Sequence, residues 1–173
     1  MTLNFDIRRA GLESAPAQTL IEALNAELRA MYPEPGANHF RLEPHEVDEG
    51  RGIFLIAARG DRPIGCGALR SLDTRTGEIK RMFVIAEERG NGIGRAILEA
   101  LEAEARRLGF SRVLLETGTR QLAAIELYER AGFVRIPPYG EYVASAATSL
   151  CMAKALGSAT AETTGNETIA SLP

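Results

Sequence analysis

The chain has no tryptophan, only two cysteines and two histidines among 173 residues, and no excess of basic residues. Each shortage excludes something. Lys+Arg number 20 against 23 Asp+Glu, a formal net charge of -3 at pH 7. Non-specific nucleic-acid binding needs a basic face, so no nucleic-acid partner is expected. Cys66 and Cys151 sit in apolar, strand-like contexts, which predicts buried thiols and no disulfide framework. These two cysteines and His39 and His45 show no ligand spacing, so no metal is expected. No window approaches the roughly 20 apolar residues that span a bilayer. The first eight residues have no basic segment followed by a long apolar run. The expectation is a cytoplasmic protein with no membrane partner.

What is present is an ordinary globular composition, 45% hydrophobic and 25% charged, with length enough for one sizeable core. Residues 3–9 alternate Leu3, Phe5, Ile7 against Asn4, Asp6, Arg8, the pattern of a half-buried strand. Pro16 opens a helix carrying Leu20, Ile21, Leu24, Leu28 and Met31 at helical spacing; Pro33, Pro35 and Gly36 stop it. A short helix is expected over 44–49. Strands over 53–59, 64–71 and 78–85 follow, joined by short turns at 60–63 and 73–77, which implies antiparallel pairing. The next helix carries Ile93, Ile97, Leu101, Ala105 and Leu108 on one stripe, with Glu102 and Arg106 expected as an i,i+4 pair on its polar side. A strand over 111–116, a helix over 121–131, a strand over 133–136, a turn at 137–140 and a strand over 148–154 complete the order. The fold class is α/β (α+β): a mixed, mostly antiparallel central sheet flanked by helices. One domain is expected over 1–156. Residues 157–173, rich in Ser, Thr, Ala and Gly, read as a disordered tail.

The sharpest local signal is Arg89-Gly90-Asn91-Gly92-Ile93-Gly94, between the apolar run Met82-Phe83-Val84-Ile85 and the helix that begins near Arg95. A strand, a glycine-rich turn and a helix start form an anion site, because unpaired amides converge there and the helix dipole favours negative charge. The glycines let phosphate oxygens approach the main chain, and Arg89 and Arg95 add positive charge.

A second motif follows one strand later: Gln121-Leu122-Ala123-Ala124-Ile125-Glu126-Leu127-Tyr128-Glu129-Arg130-Ala131-Gly132-Phe133. Together the two motifs resemble the GNAT superfamily of acyl-CoA-dependent N-acyltransferases. Arg89, Gly92 and Gly94 match the family's Arg/Gln-x-x-Gly-x-Gly/Ala loop. Ala124, Leu127, Tyr128, Gly132 and Phe133 match its Asn-x-x-Ala-x-x-Leu-Tyr-x-x-x-Gly-Phe signature. Two positions depart from the pattern: Ala86 stands where proline is common, and Gln121 replaces the asparagine.

The resemblance implies acetyl-CoA as co-substrate and transfer of its acetyl group to a primary amine, most simply of a small molecule. Gly90, Asn91, Gly92, Ile93, Gly94 and Arg95, with Arg89, would hold the diphosphate. Met82, Phe83 and Val84 would pair with the pantetheine arm, and Gln121 and Ala124 would border it. Tyr128 would protonate the leaving thiolate. Glu78 and Glu116, on the strands flanking the slot, are the candidate bases, with His39 an alternative from the segment roofing the acceptor site. Glu141, after the Pro137-Pro138 turn, is a candidate for binding a cationic acceptor. Other readings are a protein N-terminus or lysine as acceptor, and a non-catalytic acyl-CoA-binding module. Many relatives pair through their C-terminal strands, which makes a homodimer an expectation as well.

Overall fold

Short turns double the middle of the chain back on itself, and the sheet grows from there. The computed structural model describes residues 4–157. An edge strand, β1 (Asp6–Arg9), leads into helix α1 (Ala15–Met31), whose first turn holds Pro16. Strand β2 (Gly52–Arg59) pairs antiparallel with β1 and with β3 (Arg62–Ser71), closing a two-residue turn at Gly60-Asp61. Strand β4 (Thr76–Val84) continues the antiparallel meander. Helix α2 (Ile93–Arg107) then crosses over to β5 (Arg112–Gly118), which runs parallel to β4. Helix α3 (Leu122–Arg130) leads to β6 (Val134–Ile136), and β7 (Ser149–Ala155) inserts between β5 and β6. The sheet order is β1-β2-β3-β4-β5-β7-β6. Among the described residues β4 and β5 form the single parallel pair, so the sheet is mixed and mostly antiparallel, as its patterning predicts.

Each face of the sheet buries its own cluster. Against α2 lie Leu69, Ile79, Leu115 and Met152, meeting Ile93, Ile97, Leu101 and Ala105. Against α1 lie Phe54, Ile56, Cys66 and Phe83, meeting Leu20 and Leu24. Each such Leu or Ile contributes roughly 1.5–3 kcal/mol on full burial, which is why the helical stripes at four-residue spacing decide how these helices seat.

Some expectations change. Glu102 is not on a solvated face. It is 5% exposed, accepts from Lys154 Nζ at 2.8 Å and lies 3.6 Å from Arg106. Strand β7 carries Lys154 up against α2, a contact that the helix's own periodicity does not contain. The short helix expected over 44–49 is a 3₁₀ turn over Pro44–Val47. Further 3₁₀ turns occur at Ala86–Glu88 and at Gly140–Ser145, the second beginning where the turn over 137–140 ends. Cys66 and Cys151 are buried and free, on β3 and β7, with β4 and β5 between them. Among the described residues no helix is long and apolar enough to cross a membrane. Apart from Gly157, the tail expected over 157–173 lies outside the described residues.

Candidate active site

The site begins with a fault in the β3–β4 ladder. Cys66 pairs with Phe83 and Ala68 with Lys80, so Arg81 and Met82 together oppose Gly67. Arg81 has φ 59°, the one positive value at a non-glycine residue among those described. A bulge of this kind puts two successive side chains on one face. Lys80 reaches Glu141 and Tyr142 on the α1 side, and Arg81 also turns to α1, donating to Asn25. Met82 returns to the α2 side, where a Cβ on Gly67 would stand 2.7 Å from its sulfur. The β4–β5 ladder ends at Ile79↔Leu115. Beyond that pair the two strands separate and their side chains line cavities.

A groove of about 940 Å³ runs from the glycine loop past Val84 to α3. Gly90 and Gly92 have φ 82° and 78°, and a Cβ on either would meet nothing within 4 Å, so the loop's backbone faces open space. Gly92 immediately precedes α2, leaving first-turn amides free for an anion. Arg89 ties the loop down: its Nε donates to the Val84 carbonyl at 2.8 Å, and its Nη2 to Glu27 at 2.6 Å. Arg95 pairs with Glu99 at 2.8 Å.

A second, smaller cavity of about 90 Å³ lies on the α1 side, walled by His39, Lys80, Arg81, Glu116 and Tyr142. It shares Leu24, Met82, Gln121, Ala124 and Tyr128 with the groove. Tyr128 is 5% exposed and packs edge-on against Phe133 at 5.8 Å. Burial first, then the Glu116 carboxylate, push its phenol above the ordinary tyrosine range, so it stays protonated.

The two strand carboxylates differ in occupation. Glu78 is 1% exposed and fully engaged. Arg70 Nε donates to Oε1 at 2.7 Å, while Tyr139 and Tyr142 hydroxyls donate to Oε2 at 2.6 and 3.2 Å. Glu116 has no such clamp. Burial pushes its carboxyl up to about 7, opposed by a hydrogen bond from Ser149 and by the charge of Lys80. Beyond Ser149 a chain of short contacts continues: Ser149 Oγ to Ser145 Oγ at 2.9 Å, and Ser145 Oγ to His39 Nε2 at 2.6 Å. Glu141 is salt-bridged to Lys80 at 3.2 Å; burial would raise its carboxyl, but Lys80 overrides that and holds it low.

Residues 17–133 match the model of the acetyltransferase (GNAT) family. The chain belongs to this family. It is 42% identical over 137 residues to an IAA acetyltransferase of Azospirillum brasilense, covering 78% of this chain and 87% of that protein. A GNAT acetyltransferase structure from Staphylococcus aureus superposes with a TM-score of 0.71 at 18% identity, covering 88% of this chain and 99% of the other. One from Elizabethkingia anophelis, solved with acetyl-CoA bound, gives 0.64 at 18% identity over 88% and 99%. At those identities the likeness is one of fold. By its family and its 42% identity to the Azospirillum enzyme, the GNAT chain is an acyltransferase.

Met82, Phe83, Val84, Arg89, Gly90, Gly92, Ile93, Gly94, Arg95, Gln121 and Ala124 all line the groove. Asn91 is exposed and turns to Glu88. The Gln121 carbonyl oxygen accepts from Thr117 Oγ1 at 2.9 Å and from the Gly118 amide at 3.0 Å, closing the end of β5. Tyr128, Glu116 and His39 meet at the smaller cavity; Glu78 and Glu141 lie behind it, in the cluster with Arg70 and Lys80. The sequence reading missed Arg70, Lys80, Arg81, Ser145 and Ser149. Only alternation along β3 and β4 hinted that Arg70, Glu78 and Lys80 share a face. Among the described residues no group of three or more His, Cys, Asp or Glu is placed to hold a metal ion.

Proposed function

We propose that this enzyme transfers the acetyl group of acetyl-CoA directly to a primary amine of a small molecule, with both substrates bound at once. One observation carries the reading: Glu116 and Tyr128 wall the same small cavity, and Tyr128 also walls the groove. The open backbone at Gly90 and Gly92 and the amides ahead of α2 suit the diphosphate, and the unpaired edge of β4 at Met82, Phe83 and Val84 suits the pantetheine arm.

In the reaction the amine nitrogen attacks the thioester carbonyl, forming the N–C bond and breaking C–S. Glu116 takes the amine proton; a carboxyl near 7 is matched to that task at neutral pH. The contacts Ser149, Ser145 and His39 offer that proton a way out. Tyr128 gives a proton to the departing sulfur. Glu78 serves a different end: it orients Tyr139 and Tyr142 and balances Arg70. A cavity of about 90 Å³ favours a small acceptor over a protein segment.

The test combines calorimetric titration of acetyl-CoA with thiol release across a panel of amines. Saturable binding and thiol release with some amine are expected. Absence of binding at millimolar acetyl-CoA ends the proposal, and binding without turnover on any amine reduces the protein to an acyl-CoA binder.

A further inference from the structure

We infer that the amine acceptor also carries an anionic group, most simply a carboxylate, which pairs with Arg81. The inference rests on the amine-acetylation reading above and names the acceptor's class.

Arg81 is a buried cation without a counter-ion. It is 8% exposed. Its Nη2 donates to the neutral amide of Asn25, and its guanidinium lies over the Phe40 ring at 5.4 Å. No carboxylate among the described residues pairs with it, whereas its neighbours on the same face are matched: Arg70 with Glu46 and Glu78, Lys80 with Glu141. Burial without a compensating charge lowers its pKa. Buried charges are ordinarily paired, and an unpaired one is costly. The backbone at Arg81 is also unusual, with φ 59°; such conformations persist where the surroundings impose them and cluster at ligand clamps. The bulge at Arg81–Met82 brings this side chain to the wall of the small cavity, which it shares with Glu116.

The chemistry is complementary. An amine entering as an ammonium is attracted to Glu116 and repelled by Arg81. A carboxylate on the same molecule reverses that repulsion and binds guanidinium through charge-assisted hydrogen bonds. A molecule with an amine at one end and a carboxylate at the other, small enough for about 90 Å³, matches both walls. Amino acids are the simplest members of the class.

The experiment compares free amino acids with their carboxamides, using the full chain loaded with coenzyme A for calorimetry and with acetyl-CoA for thiol release. The acids are expected to bind at least about tenfold more tightly than the amides, as one charge-assisted pair predicts. Arg81→Gln should raise KM for the acids by about 10–100-fold with kcat little changed, the pattern of lost ground-state binding, and change KM for the amides far less. Arg81→Lys should restore part of the loss. Equal affinity for acid and amide in the unmutated protein overturns the inference, as does failure of every acid to bind; neither measurement needs a variant to fold. A preference for acids that survives Arg81→Gln overturns it too. Binding of acids without thiol release upholds the anionic pocket and ends the transfer reading. Thiol release from acids and amides with equal kcat/KM does the opposite.

Discussion

Tyr139 donates its hydroxyl to Glu78 at 2.6 Å, and with Arg70 and Tyr142 it occupies both oxygens of that carboxylate. Glu116, on the neighbouring strand, is left as the carboxylate with room to accept a proton. The two residues should therefore respond in opposite ways to the same substitution.

Glu78→Gln keeps one acceptor oxygen where there were two, so an amide N–H faces either Arg70, for which Glu46 remains at 3.1 Å, or the hydroxyls of buried Tyr142 and half-buried Tyr139. It should destabilise the fold by about 2–3 kcal/mol and leave acetyl-CoA affinity intact. Denaturant titration checks the first outcome and calorimetry the second. Unaltered stability would remove the clamp role of Glu78.

Glu116→Gln should lower kcat by about 100-fold or more while stabilising the protein at pH 8. Burial raises the folded carboxyl from 4.5 to about 7, so the folded chain keeps a proton that the unfolded chain loses. Stability thus falls as pH rises from 4.5 through 7, by roughly 3 kcal/mol. An amide carries no such cost. The rate of the unmutated enzyme should rise with pH through about 7, as the base deprotonates. Thermal melts at pH 5 and pH 8 and a kcat/KM profile test both signs.

Ser149→Ala removes a hydrogen bond that lowers the Glu116 carboxyl. The acid limb of the rate profile should move to higher pH, and the contact onward to Ser145 and His39 is lost. A profile that stays in place would show that Ser149 packs without tuning the base.

Tyr128→Phe keeps the ring's contact with Phe133 and deletes the hydroxyl. Turnover should fall by about 100-fold, with acetyl-CoA affinity within a factor of two or so. Turnover equal to that of the unmutated enzyme would sink the proton-donor role.

Gly118→Ala places a Cβ 2.0 Å from the Tyr32 hydroxyl, which accepts from the Arg120 amide at 2.7 Å. Tyr32 must move, and the start of α3 loses its anchor. A loss of about 1–3 kcal/mol is expected by thermal melting, together with weaker acetyl-CoA binding, since Arg120 and Gln121 line the groove. Equal melting temperatures would mean that Tyr32 swings aside freely.

The sequence by itself determined the features that depend on near neighbours along the chain. Helical spacing marked α1 and α2, short turns marked the meander, and the glycine run before α2 marked a candidate anion site. The match of Tyr128 to the family signature implied a place beside the slot. Tertiary structure decided what depends on distant partners. Tyr139 meets Glu78 across 61 positions of sequence, and His39 meets Ser145 across 106. Neither periodicity nor spacing encodes such contacts, so Glu78 and Glu116 looked equivalent until the fold occupied one of them. Arg81 is the clearest case. Strict alternation would send it into the apolar side beneath α2, and only the one-residue slip opposite Gly67 turns its charge toward the cavity.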